Sequence, residues 1–294
     1  MSTSKISVAI DARMMLNGKK FCFAKFLDQS EFERVQNPDE ICGNRYPLIN
    51  RIAPGRRKIK YTTFHDVTIP ILQELLPLAG MTLATGVYKA NQTVATCTNI
   101  IDKIGAVHKY TNSRMDRMIL RGQTGTMPVS AECTWIADDE IEDSGTSWVN
   151  GGVDNLFGFT GTSYEIESTD CDLNAFAFVI DNRLVEGWNA DPTVTDVAAG
   201  PAQVLLATSI PYVAGTKDNY WEYRDSTEGS EHVLVISNGD DSMTLTFPAA
   251  VSNPTSPSIQ GARDEIRLPM TFQACRQYVD STDIEAFNVV LVNA

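Results

Sequence analysis

The sequence predicts a mainly β fold, and three observations predict it. Short alternating or continuous apolar segments recur between clusters of Gly, Pro, Asn and Asp along the whole chain. Asn-Gly pairs, the strongest local hairpin signal, stand between such segments at Asn17-Gly18 and Asn238-Gly239. A helical apolar period is clear in one place, TIPILQELLPLAG at residues 68–80.

Taken in order, ISVAIDARMML and KFCFAKFL flank Asn17-Gly18, which gives a first hairpin over about residues 6 to 27. In the helical segment Thr68 suits the N-cap, Pro70 the first turn, and Leu72, Leu75, Leu76 and Ala79 one buried face, with Pro77 and Gly80 ending it early. So short a helix must lie on neighbouring strands. Strands are expected near 91–97, 105–110, 115–121 and 127–136, the last two joined in a second hairpin by Gly122-Gln-Thr-Gly125. ADDEIEDSG follows, with five acidic residues between Asp138 and Asp143, and reads as a solvated loop. A Gly/Ser/Thr-rich passage to about Gly161 then separates a first β-rich unit, 1–150, from a second, 163–294; one elaborated domain is the alternative.

The second half opens with DLNAFAFVIDNRLVEGWNAD at residues 172–191, a strand apolar on both faces. Phe176, Phe178 and Ile180 should fill the core. The small face, Ala175, Ala177 and Val179, should lie under a close neighbour, either the chain's own helix or a second copy, and is the candidate inter-subunit face. Further strands follow in QVLLATSIPYVAG, EHVLVISNGDDSMTLTFPA, EIRLPMTFQAC and FNVVLVN. Met243, Leu245 and Phe247 alternate with Thr244 and Thr246, which predicts one buried and one wet face. VSNPTSPSIQG, residues 251–261, reads as an exposed loop. Both halves hold a long hairpin followed by another strand, as an internal duplication would, although no residue-level period accompanies it.

The composition narrows the function. With 24 basic and 37 acidic residues, a formal net of −13, the chain is unsuited to gripping nucleic-acid backbones. The basic run Arg56-Arg57-Lys58-Ile-Lys60 reads as a strand's wet face or a docking site for an acidic partner. Cysteines at 22, 42, 97, 133, 171 and 275 form no close pair, which suggests free thiols in a reducing cytosol. No stretch approaches the roughly 20 apolar residues of a membrane helix. His65, His108 and His232 have no metal spacing, and His108 and His232 read as strand residues near an edge. GxSxG, GxxxxGK[ST] and GxGxxG are all missing, so neither catalytic residues nor a metal or cofactor site is expected, and attention moves to surfaces.

The order of features resembles the major tail tube proteins of long-tailed bacteriophages. TIPILQELLPLAG, NQTVATCT and VHKYTNSRMDRMILRGQTGTMPVSAECTWIADDE resemble that family's helix, extended strand and long hairpin. FAFVIDNRLVEGW, VLLATSIPYVAGTKDNYWEYRDSTEGSEHVLVIS and GARDEIRLPMTFQAC resemble its apolar strand, the segment before the final hairpin, and the near-terminal strand. The likeness runs from about residue 60 to 294 and lies in order and spacing.

The resemblance implies a structural virion protein, assembled in the host bacterial cytoplasm, that stacks as rings into a hollow tube for genome delivery. Each unit would be a tail-tube-type β-sandwich, its inner sheet joined around the ring into one barrel, with one or two short helices flanking it. Two fused tube-fold units with three chains per ring compete with one elaborated unit and six. Partners would be the chain itself and other phage tail proteins, while DNA passes through without specific binding and no membrane takes part. An acidic chain suits such a conduit, since a negative lumen lets a polyanion slide. The alternatives are a distal tail or fibre component with a β-sandwich fold, and a carbohydrate-active enzyme using paired carboxylates.

Overall fold

The computed structural model describes residues 13–22, 25–36, 52–91, 93–103, 106–125, 128–143, 145, 147, 155–187, 196–213, 221–224, 226, 228–254, 266–279 and 282–293. The fold is mainly β, in antiparallel strands. The first part holds β1 (Arg13–Leu16), β2 (Lys19–Cys22), β3 (Lys25–Asp28), β4 (Glu31–Gln36), β5 (Ile52–Asp66), the helix α1 (Ile69–Leu78), β6 (Met81–Ala84), β7 (Val87–Ala90), β8 (Cys97–Asp102), β9 (Val107–Gln123), β10 (Ser130–Ala137) and β11 (Asp139–Glu142). The second holds β12 (Thr162–Ile166), β13 (Thr169–Asp170), β14 (Ala175–Asp181), β15 (Val185–Gly187), β16 (Asp196–Ala198), β17 (Gln203–Pro211), β18 (Ser230–Ser237), β19 (Ser242–Pro254), β20 (Arg267–Ala274), β21 (Gln277–Val279), β22 (Thr282–Ile284) and β23 (Asn288–Val292).

A central sheet runs β3, β5, β10, β9, β14, β17, β20 and the C-terminal part of β19, each strand antiparallel to the next. A second layer runs β6, β7, β23, the N-terminal part of β19, β18, β12 and β13. A third runs β2, β1, β8, the N-terminal part of β9, and β11. β9 and β19 thus each serve two layers, and both have a residue suited to the bend. Asn112 in β9 takes φ 47°, a left-handed conformation that Asn tolerates. Pro248 in β19 stands between the segment paired with β23 and the segment paired with β20, where a missing N–H costs the ladder least.

Period-2 alternation sets the core. Phe176, Phe178 and Ile180 point inward from β14 and are buried, beside Leu120 of β9 and Leu206 of β17. Phe178 meets Phe247 of β19 edge-on at 5.9 Å between ring centroids, joining the central sheet to the second layer. Burying such a ring fully is worth about 1.5–3 kcal/mol. Met243, Leu245 and Phe247 are fully buried while Thr244 and Thr246 are half-buried, as their alternation predicts.

α1 buries Leu72, Leu75, Leu76 and Ala79, the expected face. Thr68 occupies the N-cap position with extended backbone but makes no side-chain cap bond. The helix runs one residue past Pro77 to Leu78, and Gly80, at φ 89°, turns the chain out of it. Its end is fixed on the inner side of the central sheet, because buried Asn182, just after β14, donates through Nδ2 to the carbonyls of Ala79 (3.3 Å) and Met115 (2.8 Å).

Several sequence expectations are corrected. The Asn17-Gly18 turn closes a tight hairpin of β1 and β2, but β3 leaves it to pair with β5; residues 6–12 and 23–24 of the expected hairpin lie outside the described residues. The strands expected at 105–110 and 115–121 are one bent strand, since Thr111–Arg114 make the bend rather than a turn. The strand expected at 91–97 forms instead as β8, where it can pair with β1 and β9. Val251–Pro254 continue β19 instead of opening a loop, and 255–261 lie outside the described residues.

The pairing pattern repeats along the chain. The pairs β1–β2, β1–β8, β8–β9, β9–β11, β9–β10, β10–β5 and β5–β3 recur in the same chain order. Their counterparts are β12–β13, β12–β18, β18–β19, β19–β23, β19–β20, β20–β17 and β17–β14. Each half of the central sheet therefore carries its four strands in the order first, second, fourth, third, and the halves join at β9–β14.

Candidate functional site

The small face of β14 lies on the outward side of the central sheet. Neighbouring strands place Arg121 and Ala207 beside Ala177, Ile119 and Leu205 beside Val179, and Gln123 and Ser209 beside Ala175. Ala175 and Ala177 are half-buried, and Val179 is 8% exposed between its two aliphatic neighbours. No described element lies over Ala175 and Ala177. An open concavity of about 620 Å³ sits there instead, with Ala175, Ala177, Ala207, Ser209 and Arg121 in its wall. The helix cannot be the cover, since Asn182 ties it to the opposite side. A described element covers the outward face at the Asp181 end, where Val197 of the β15–β16 ribbon and Leu184 pack on Ile136 and Glu186 bridges Lys58 at 2.6 Å.

The electrostatics of this face differ from those of the chain. Lys25, Lys60, Arg117, Arg121 and Arg267 stand against Asp66, Asp116, Glu132 and Asp181, with Lys60–Asp116 and Arg121–Glu132 each paired at 3.3 Å. Among the described residues, charge on this face is nearly balanced.

The two charge runs singled out in the sequence meet each other. Arg57 donates to Asp139 at 2.9 Å and to the Glu140 carbonyl at 3.3 Å. With Lys58 on Glu186 and Lys60 on Asp116, three members of the basic run have partners within the chain. The acidic run is correspondingly not a solvated loop, because Asp139–Glu142 form β11 on β9. Glu140 Oε1 accepts from His108 Nδ1 (2.8 Å), Tyr110 (2.9 Å) and Lys103 (3.3 Å), and Lys103 also reaches Asp28 of β3 at 3.6 Å. Burial pushes the Glu140 carboxyl up, but these hydrogen bonds and the Lys103 charge outweigh it and hold it below its ordinary range.

His232 is a strand residue but not near an edge. β18 lies between β12 and β19, and the imidazole is fully buried, 4.0 Å from the Phe272 ring centroid. Nδ1 lies 2.8 Å from the Tyr164 hydroxyl and Nε2 2.7 Å from Ser230 Oγ, which also donates to the Ala250 carbonyl. One tautomer satisfies all three bonds: Tyr164 donates to Nδ1, Nε2–H donates to Ser230, and Ser230 donates to Ala250. Burial pulls the imidazole down to about 4, so it is neutral at pH 7. A fully buried Ser–His contact of this kind holds a core together and offers no path to a substrate. Among the described residues no group of three or more His, Cys, Asp or Glu gathers as a metal site would require.

The edges of the central sheet were not read from the sequence. Among the described residues, β3 pairs with β5 on one side only, and Val251–Pro254 pair with β20 on one side only. The signal that could have led to them is the matched pair of hairpins β8–β9 and β18–β19, whose connections, 103–106 and 238–241, have equal length.

No protein-family model matches this sequence, and no curated protein is significantly similar to it.

Proposed function

We propose that this chain is a structural protein of a bacteriophage tail that assembles into stacked rings, forming the hollow tube for genome delivery, and that it is not an enzyme. The observation that carries this reading is the central sheet, with its outward face uncovered over β14 and its two halves of identical strand order joined side by side. That repetition favours two fused units per chain and three chains per ring.

Strand geometry supports the size. Three copies of the eight-stranded sheet, at about 4.8 Å between strands and a tilt of about 40°, close a barrel roughly 48 Å across its backbone. Side chains reduce the bore to about 38 Å, from half the roughly 10 Å layer spacing on each side, which passes a DNA duplex. Ala175, Ala177 and Val179 would then line the bore rather than a seam between copies. A wall of nearly balanced charge neither holds a polyanion tightly nor repels it strongly. Within a ring, central sheets continued from copy to copy would leave neither edge of that sheet open to stray pairing.

Electron microscopy of the concentrated purified protein tests this. Rings or tubes with a central hole of duplex width are expected; persistent monomers, also with phage tail tips added, would remove the reading.

A further inference from the structure

The repeated pairing pattern carries a second consequence, because the sheet contains one copy of a junction whose counterpart is open. Within the chain, the third strand of the first half, β9, pairs with the first strand of the second half, β14. Among the described residues, the third strand of the second half, the C-terminal part of β19, and the first strand of the first half, β3, are left as the two edges. We infer that these edges pair with each other between copies, β3 of one chain with Val251–Pro254 of the next, and that β9–β14 gives their register. This deepens the ring proposal and takes from it only the number of copies.

The direction of the strands fits. The sheet alternates strictly over an even number of strands, so β3 and β19 run oppositely, and copies placed head to tail keep every pair antiparallel. Such a heterologous contact closes as a ring or continues as a filament, and needs no second kind of surface.

The register can be counted. The hairpins β8–β9 and β18–β19 begin with the equivalent pairs Asp102↔Val107 and Ser237↔Ser242. Counting on, Met115 falls at the place of Ala250, and their partners Trp135 and Ala274 are equivalent in turn. Past the bulged Asp116, Ile119 falls at the place of Asn253. Crossing from β10 and β20 through β5 and β17 puts Leu27 at the place of Val179 and Phe26 at that of Phe178. An independent feature agrees, since Phe26 and Phe178 both turn inward onto aromatic rings, Tyr61 in one half and Phe247 in the other. Val179 stands opposite Ile119. Leu27 of one copy therefore stands opposite Asn253 of the next. Leu27 is 37% exposed, a large apolar side chain at an edge that such pairing would cover. Exposed Lys25 and Asp28 on the same short strand limit stray pairing before assembly.

Directly opposed positions are within disulfide reach, so the test is a Leu27→Cys/Asn253→Cys double variant, oxidised at assembling concentration and run without reductant. A ladder of covalent oligomers ending in a closed species is expected. Each single variant alone should give no ladder above the native-cysteine background, and the two singles mixed should give dimers only. Hydrogen exchange on the unaltered protein is the second measurement, with protection of 25–28 and 251–254 appearing on assembly. Rings without the ladder and without that protection overturn this pairing and leave the tube reading standing. A ladder of open chains without rings keeps the pairing and removes the tube. Neither rings nor ladder removes both.

Discussion

Gly122 lies directly opposite Phe176, and the Phe176 ring fills the space a side chain at 122 would need: a Cβ there would sit 2.5 Å from the ring, with Phe159 at 3.1 Å. The two rings stack at 6.3 Å between centroids, so neither can move freely. Gly122→Ala should destabilise the protein by about 1–3 kcal/mol, the usual cost of overpacking. Urea unfolding measures it. A change under about 0.5 kcal/mol, the scale of a neutral surface substitution, would mean that the β9–β14 junction is loosely packed.

Asn182 links the end of α1 to β9 through two carbonyls and is buried. Asn182→Ala removes both hydrogen bonds and should cost about 1–3 kcal/mol. Exchange protection near Ala79–Met81 should fall more than in β18, which is remote from the bond. Uniform loss across the chain would show that the helix end has no separate role.

His232 gives the protein a pH dependence with a definite sign. Its folded value is about 4, against an ordinary 6.5, so the unfolded chain binds the proton more tightly. The stabilisation is complete above the unfolded value and is lost as pH falls from 6.5 toward 4, by about 3 kcal/mol in all. Chemical unfolding at pH 7.5, 6 and 5 should show that decline, and His232→Gln should flatten it. An equal decline in the variant would assign the effect to carboxylates.

Glu140 acts at lower pH. Its carboxyl is held below its ordinary 4.5, so its contribution is present above that value and is lost as acid carries the pH down through the folded one. Glu140→Gln should lower stability at neutral pH and make the further loss on acidification below 4.5 shallower. Parallel curves for the two proteins would contradict the Lys103–His108–Tyr110 arrangement as its cause.

Ala177→Glu separates a bore wall from a covered face. The side chain points outward from β14 beside Arg121 and Ala207, so the unfolding free energy should change by no more than about 0.5 kcal/mol. Ring formation in the microscope should persist. A folded variant that no longer assembles would place a neighbouring copy over this face.

Much of the strand inventory was legible. β14, β17, β20 and β23 fall within the expected segments because each is a short apolar or alternating stretch between turn residues. The helix was equally plain in Leu72, Leu75 and Leu76. The bent strand was not, because Thr111–Arg114 look like a turn unless β8 and β10 are known to hold both arms. ADDEIEDSG looked like a loop because its charges are counted as solvated until Arg57, Lys103 and His108 are brought to them from 30 or more residues away.

The sequence by itself determined that the chain is mainly β, that its strand β14 is apolar on both faces, and which of those faces is large. These follow from local alternation, and local alternation is written in adjacent residues. The tertiary structure bears out the expectation that Phe176, Phe178 and Ile180 look inward, and it alone decided that no described element covers Ala175 and Ala177. It also decided that β9 and β14 meet while β3 and the end of β19 remain edges. Strand pairing joins residues far apart in the chain, and backbone hydrogen bonds read no side-chain identity, so the repeated order of strands leaves no repeat in the residues.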